Sequence, residues 1–343
     1  MIYSLLAVAV LSGIAFLIAP SAPYLFGVLL PYAAVLVFIA GFVWRIMDWA
    51  KSPVPFQITT TGGQQRSLDF IKPARLDSPY TKTETVGRMI LEVLLFRSLF
   101  RNTKAELRKE DGNPRLIYWS SKWLWVFALV FHYSFLVIFI RHFRLFLEPV
   151  PFFIVVVEAI DGMMQIGVPR FFMTDALIMG GLTFLLCRRL FDPKLRYISL
   201  PSDYFPLLML LGIAGSGILL RYFTTGDIAT VKVYTMGLAT LSPSIPEGLP
   251  VMLFVHVVFV SVLLMYFPFS KLMHMGGIFM SPTRNLPNNA RAVHHTNPWN
   301  PPKVYHTYAA YEDDFREAME EAGLPVEITS EEAAARAGNA KKE

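Results

Sequence analysis

Six stretches of the chain carry apolar runs of membrane-crossing length, at roughly residues 2–19, 24–47, 121–146, 171–191, 203–223 and 249–274. A helix needs about 20 apolar residues to cross the hydrocarbon core, so each run predicts a spanning helix. The first two are joined by the Pro-rich turn "APSAPYLFG". The first run lacks a basic leader and a small-residue cleavage site, so it is expected as a retained helix paired with the second. Between spans the pattern changes. Residues 51–83 show no hydrophobic period and predict irregular structure. In "TVGRMILEVLLFRSLFRNTKAELRKEDGNP", Met89, Val93, Leu94, Phe96 and Phe100 recur at helical spacing, with Arg88, Arg97, Arg101 and Lys104 on the polar side. That predicts one amphipathic helix ended by Gly112 and Pro114, lying along the inner membrane interface or packed on protein. "YWSSKWLW" reads as the aromatic belt where the third span enters the bilayer.

Two further loops, "EPVPFFIVVVEAIDGMMQIGVPR" and "TTGDIATVKVYTMGLATLSPSIPEGLP", hold apolar stretches too short to cross and predict capping helices at the interface. After Met275 the chain is Pro- and Asn-rich; "AAYEDDFREAMEEAG" then predicts a short helix stopped by Gly323, followed by a frayed end. The expected fold is an all-α membrane protein with six transmembrane helices, in which a four- or five-helix bundle follows an N-terminal hairpin. Its regions are 1–47 (hairpin), 48–120 (basic loop), 121–275 (bundle) and 276–343 (tail).

Charge sets the expected orientation. From Asp48 to Lys122 the chain carries thirteen Lys/Arg residues, whereas the loops after Arg141 and Leu220 hold few. The positive-inside rule makes the 48–122 loop cytoplasmic, and six crossings then put both termini on that side. These loops account for the net charge of +5, so it is no argument for nucleic-acid binding. The single cysteine, Cys187, excludes an iron–sulfur cluster, a CxxCH haem attachment and an internal disulfide.

Four of the seven histidines fall in predicted spans: His132 and His142 on the third, His256 and His274 on the sixth. An ionisable side chain inside a bilayer needs a partner and faces the bundle interior. The two spans run antiparallel, which pairs His142 with His256 near the outer face and His132 with His274 near the inner face. Two facing imidazoles are the axial set of a b-type haem, so two haems are expected. Ten residues rise about 15 Å and eighteen about 27 Å, and the ten-residue spacing rotates its histidines by about 80° while eighteen residues return to one face. The two haem planes should therefore differ in orientation. Zinc would want four convergent ligands, which these helices do not offer. Two other readings stay open: a transporter or proton channel using the histidines as relays, and a non-redox anchor whose histidines bond one another. Arg141, Arg144 and Arg221 flank the outer pair, either as haem propionate partners or as residues snorkelling to the headgroups. His294 and His295 read as surface residues, and the tail with "NPWNPP" as a docking element.

The ten- and eighteen-residue histidine spacings resemble the gamma subunit family of respiratory nitrate reductases, over about residues 121–275. The added N-terminal hairpin, "GRMILEVLLFRSLFRNT" and "RNLPNNARAVHHTNPWN" resemble more closely the cytochrome b subunits of the Dsr membrane complex (DsrM) and their Hme counterparts. The resemblance implies a prokaryotic cytoplasmic membrane protein that carries electrons between quinone and a cytoplasmic partner through its two haems. The quinone site, for menaquinone or another quinone, would lie beside the outer haem. It further implies a DsrK-like iron–sulfur subunit beside the inner one, a multihaem cytochrome c and other membrane subunits alongside, and a role in sulfite or sulfur metabolism. The chain would be an electron-transfer subunit without substrate chemistry of its own beyond a quinone site. Quinol oxidation needs a proton acceptor, and Glu158, Asp161 and Lys232 are the outer-loop groups available, each equally readable as a solvated loop charge.

Overall fold

The computed structural model describes residues 1–52, 63–110, 113–164, 170–224, 227–294, 296 and 305–340. They form two compact units, Met1–Thr296 and Asn297–Glu343. His295 and the "NPWNPP" segment lie outside the described residues.

In the first unit, α1 (Ile2–Gly13) and α2 (Leu30–Lys51) form the N-terminal hairpin, joined through π-helical turns at Ile14–Ile18 and Leu25–Leu29. The hairpin is packed into the bundle: α1 lies along α9 (Pro201–Tyr222), and α2 along α11 (Val251–Tyr266). Ala15 shares a buried cluster with Met209, Val255, Val258 and Phe259. A helix Cβ at Gly41 would come 2.7 Å from Pro268, which explains the glycine at that contact. The buried Tyr234 hydroxyl of α10 (Ile228–Ala239) donates to the Gly27 carbonyl at 2.6 Å, occupying an acceptor in the π-helical turn.

Helices α5 (Lys122–His142), α7 (Met173–Phe191), α9 and α11 form a row: α5 packs on α7, α7 on α9, and α9 on α11. Ile178, Leu182 and Leu210 fill the α7–α9 seam. Among the described residues, five helical stretches are long and apolar enough to cross a membrane: Ile2–Ser21, Leu25–Lys51, Lys122–Leu145, Pro201–Tyr222 and Val251–Phe269. The chain is thus a predominantly helical membrane protein. The remaining predicted span, 171–191, is helical as α7 but carries Asp175, Arg188 and Arg189, and so falls short on composition. Both capping loops contain the expected short helices, α6 (Phe152–Asp161) and α10.

Two sequence expectations fail for identifiable reasons. The predicted 249–274 span is not one helix. α11 ends at Tyr266, Pro268 sits in a 3₁₀ turn, and Ser270 is extended (φ −122°, ψ 174°) before a new turn leads into α12 (His274–Met280). Proline removes a helix donor and clashes with the preceding turn, so the continuous period cannot persist through it. The predicted amphipathic helix is also interrupted. α3 (Lys82–Leu95) stops at Phe96, whose φ of 49° is left-handed, and a four-residue α4 (Arg97–Phe100) leads into an antiparallel hairpin of β1 (Thr103–Glu110) and β2 (Asn113–Ser120). "KAEL" alternates with a period of two and "RLIYW" is rich in β-branched and aromatic residues, strand signals that the helical reading passed over. A second small ribbon pairs β3 (Gly162–Met164) with β4 (Phe171–Phe172), so the fold is not purely helical.

α3 is amphipathic, as its period predicts, and turns its polar side to the protein. Its polar Thr85, Arg88 and Glu92 are buried against protein, while Val86 and Ile90 are 58% and 51% exposed. A capping box at Thr81 and Glu84 starts the helix.

In the second unit, Thr307 caps α14 (Tyr308–Glu321) and Gly323 adopts φ +68° just beyond it. The buried Glu312 carboxylate accepts from the backbone N–H groups of Glu327 and Ile328, and α15 (Ser330–Ala340) follows as a formed helix.

Candidate functional site

Although α5 and α11 occupy the two ends of the row and do not pack closely along each other, their histidines face each other. His142 and His256 have ring centres 6.2 Å apart with planes at 6°. His132 faces His274, at the start of α12, with ring centres 6.0 Å apart and planes at 83°. The structure therefore brings together both predicted pairs, the second one across the helix break at Pro268 and Ser270.

Each imidazole is held through Nδ1. His132 Nδ1 lies 2.7 Å from the Ala128 carbonyl, His142 Nδ1 2.7 Å from the Ile138 carbonyl, and His274 Nδ1 2.9 Å from the Lys271 carbonyl. A carbonyl can only accept, so these three Nδ1 atoms carry the proton and Nε2 is the free lone pair. His256 Nδ1 is 3.0 Å from the Ser216 hydroxyl on α9. Gly217 lets that ring approach, because a Cβ there would stand 3.3 Å from His256 Cε1. Fixing one ring nitrogen to orient the other is the usual support of a ligating histidine.

The spacing tests the fit to a metal. With metal–nitrogen bonds of about 2.0 Å and about 1.1 Å from nitrogen to ring centre, two imidazoles on opposite sides of one ion have centres about 6.2 Å apart. The observed 6.2 and 6.0 Å meet that value at both ends. Among the described residues no three His, Cys, Asp or Glu side chains converge on a common point. Two facing imidazoles with no further protein donor among the described residues would suit an ion whose remaining ligands come from a planar ring.

Surroundings differ between the ends. Beside His142, the buried Arg141 donates to Asp161 Oδ2 (2.6 Å) and Thr174 Oγ1 (3.0 Å), and lies 3.4 Å from Asp175 Oδ1. The Tyr222 hydroxyl donates to Asp175 Oδ2 at 2.8 Å. Phe172 stacks under both guanidinium groups, 3.4 Å from Arg141 and 4.3 Å from Arg221. Arg144 pairs with Glu158 at 2.8 Å, and Lys232 pairs with Glu148. Arg141 and Asp161 are thus committed to each other. Arg221 donates to the Arg170 carbonyl at 3.3 Å and has a buried Nε with no hydrogen-bond partner among the described residues. At the other end, the Phe96 ring meets His132 edge-on at 4.9 Å. Asp77 there pairs with Arg97 at 2.5 Å and with Arg101. The Arg97 hydrogen bond outweighs burial and, with Arg101, holds the Asp77 carboxyl below the usual carboxylate range. Sequence reasoning passed over Ser216, Asp175, Thr174 and Tyr222. Of these only Asp175, a carboxylate in an apolar helix, carried a visible signal.

A helical membrane protein with two facing imidazole pairs offers the ligand types that cytochromes b use for haem. The chain belongs to the nitrate reductase gamma subunit family, whose pattern it matches over residues 89–292. It is 45% identical over 287 residues to the Hdr-like menaquinol oxidoreductase cytochrome b-like subunit of Archaeoglobus fulgidus, covering 82% of this chain and 85% of that one. It is 40% identical over 279 residues to the subunit of the same description from Archaeoglobus profundus, covering 79% and 82% respectively.

Proposed function

We propose that this chain is the membrane cytochrome b subunit of a quinone-linked redox complex, holding one b haem between His142 and His256 and another between His132 and His274. The observation that carries the reading is the pair of ring separations, 6.2 and 6.0 Å, on imidazoles whose Nδ1 atoms are already engaged. Haem b supplies a reversible one-electron carrier between quinone and a second redox protein. The chain's part is to present Nε2 from both sides and to keep water out with the α5–α7–α9–α11 row. Arg221, with its buried orphan Nε, is the candidate for a haem propionate; Arg141 and Arg144 already hold carboxylates.

Quinol oxidation requires an acceptor for protons. At the His142 end the more exposed pairs Arg144–Glu158 and Lys232–Glu148 are better placed to exchange protons than the sealed Asp161. The relatives' description favours menaquinol as the donor. With α7 as the sixth crossing, both termini and the basic 48–122 loop are cytoplasmic. Asp175 is answered internally by Arg141, and Arg188 and Arg189 lie in the last turn, where an interface tolerates them. The reading extends to a DsrM-like role in sulfite or sulfur metabolism, with a DsrK-like iron–sulfur subunit, a multihaem cytochrome c and other membrane subunits as partners.

The test is a pyridine haemochrome assay on the full-length purified chain and on His142→Ala and His274→Ala. About two b haems per chain, with one lost in each variant, is the expected result. Folded wild-type protein, made with haem in supply, that carries none would overturn the proposal.

A further inference from the structure

α3 packs its charged side inward and leaves Val86, Ile90 and Leu94 exposed at 58%, 51% and 51%, the reverse of a helix that meets water. The far end of α3 shows what it meets. Helices leave their last carbonyls without internal partners, and a helix end in water gives them to solvent. Here the Leu94 carbonyl accepts from the Tyr133 hydroxyl at 2.8 Å, and the Leu95 carbonyl from the Trp125 indole N–H at 2.7 Å. Both donors belong to α5, within the membrane-spanning stretch Lys122–Leu145. Trp125 and Tyr133 stand about 4 and 16 Å along the axis from Lys122, at 1.5 Å per residue. The end of α3 therefore sits between those depths, inside one leaflet of a hydrocarbon core about 30 Å thick. In that medium backbone groups must be satisfied by protein, and these two bonds do so for the last two carbonyls of α3. Directly beyond, Phe96 turns left-handed, and its ring covers His132.

We infer that α3 is a re-entrant helix embedded in one leaflet, whose Val86–Ile90–Leu94 face contacts lipid acyl chains while Thr85, Arg88 and Glu92 are sealed against the protein. On α5, whose side chains bond the end of α3, Leu136 and Phe139 are also exposed. In this arrangement the end of α3 screens His132 from lipid through the Phe96 ring. The inference depends on the chain being a membrane protein and not on haem.

The test is spin-label accessibility on the full-length chain in phosphatidylethanolamine/phosphatidylglycerol nanodiscs, in a Cys187→Ser background. Labels at Val86→Cys and Ile90→Cys should collide readily with oxygen and poorly with the water-soluble Ni-EDDA complex, as at Leu136→Cys. A label at Glu331→Cys, on the charged α15, should show the opposite preference and serves as the aqueous reference. The expected oxygen-to-nickel ratio at Ile90 is several-fold above that at Glu331. Nickel accessibility at Ile90 equal to that at Glu331 would place the helix in water. Protection from both reagents would place it against protein. Either result overturns the inference, and agreement between the Val86 and Ile90 labels guards against a single variant that misfolds.

Discussion

At the His142 end both imidazoles stand on unbroken helices, α5 and α11, whereas at the Lys122 end His274 arrives only after α11 has stopped and the chain has turned. The ring separations are nearly equal, 6.2 and 6.0 Å, while the ring planes differ, 6° against 83°. Unbroken helices present both rings of the first pair, with Ser216 of α9 fixing His256, whereas a proline, an extended serine and a 3₁₀ turn present His274 in the second. The supports differ in kind as well. The His142 end is backed by a buried set of two carboxylates and two guanidinium groups around Phe172, and the Lys122 end by the aromatic Phe96 and the more exposed Asp77 latch. A buried ion set acts only if complete, because removing one member leaves a charge without a partner. An exposed latch is weaker and answers to pH.

The contrast can be broken most severely at the helix break. Pro268→Ala restores a donor and lets α11 run on, which turns His274 away from His132. The haem content should fall from about two to about one per chain, leaving the His142 end intact. A haemochrome assay with the variant's optical spectrum checks this, and undiminished content would show that Ser270 alone sets the break. Next comes Arg141→Ala, which strands Asp161 and Asp175 in the interior. Unfolding in detergent should show a loss of about 3–5 kcal/mol, with Arg141→Lys recovering part of it. An unchanged midpoint would mean that the network contributes no net stability.

Smaller effects sharpen the comparison. Ser216→Ala removes the hydroxyl beside His256 Nδ1 and should cost about 1 kcal/mol, with a shift in the redox midpoint at the His142 end only. A redox titration of wild type and variant reads both ends at once. The smallest effect is the acid response of the latch. Asp77 has a depressed folded-state pKa, so its contribution is fully present above the unfolded carboxylate value of about 3.9 and is lost as pH falls through the folded value. Amide exchange in α3 and α4 should therefore stay protected down to about pH 4 and rise only below it. Asp77→Asn should give the faster exchange already at neutral pH, and an equal profile in both proteins would discard the latch.

Much of this was legible along the chain. The apolar runs, the two capping helices and the tail helix depend on local composition and period, and they form close to where the pattern places them. The hairpin at 103–120 was missed because arginines and apolar residues spaced for a helix precede it without a break, and the left-handed Phe96 that ends α3 leaves no mark in composition. Of the site, the four histidines stood out because imidazoles are rare in apolar runs. Arg141 was visible as well, but its partners come from α6 and α7, twenty and more residues away.

The sequence by itself determined that the chain is a helical membrane protein, and it singled out the four histidines and their order along two antiparallel segments. Burial cost supplies the reason: a polar ring in an apolar run is read locally, from neighbours within a few turns. Only the tertiary structure decided how the rings meet and which face of α3 is covered. Those depend on where Pro268 and Phe96 turn the chain, and on Ser216, Tyr133 and Trp125 arriving from other helices. Contacts made across such distances are set by packing, which no local pattern records.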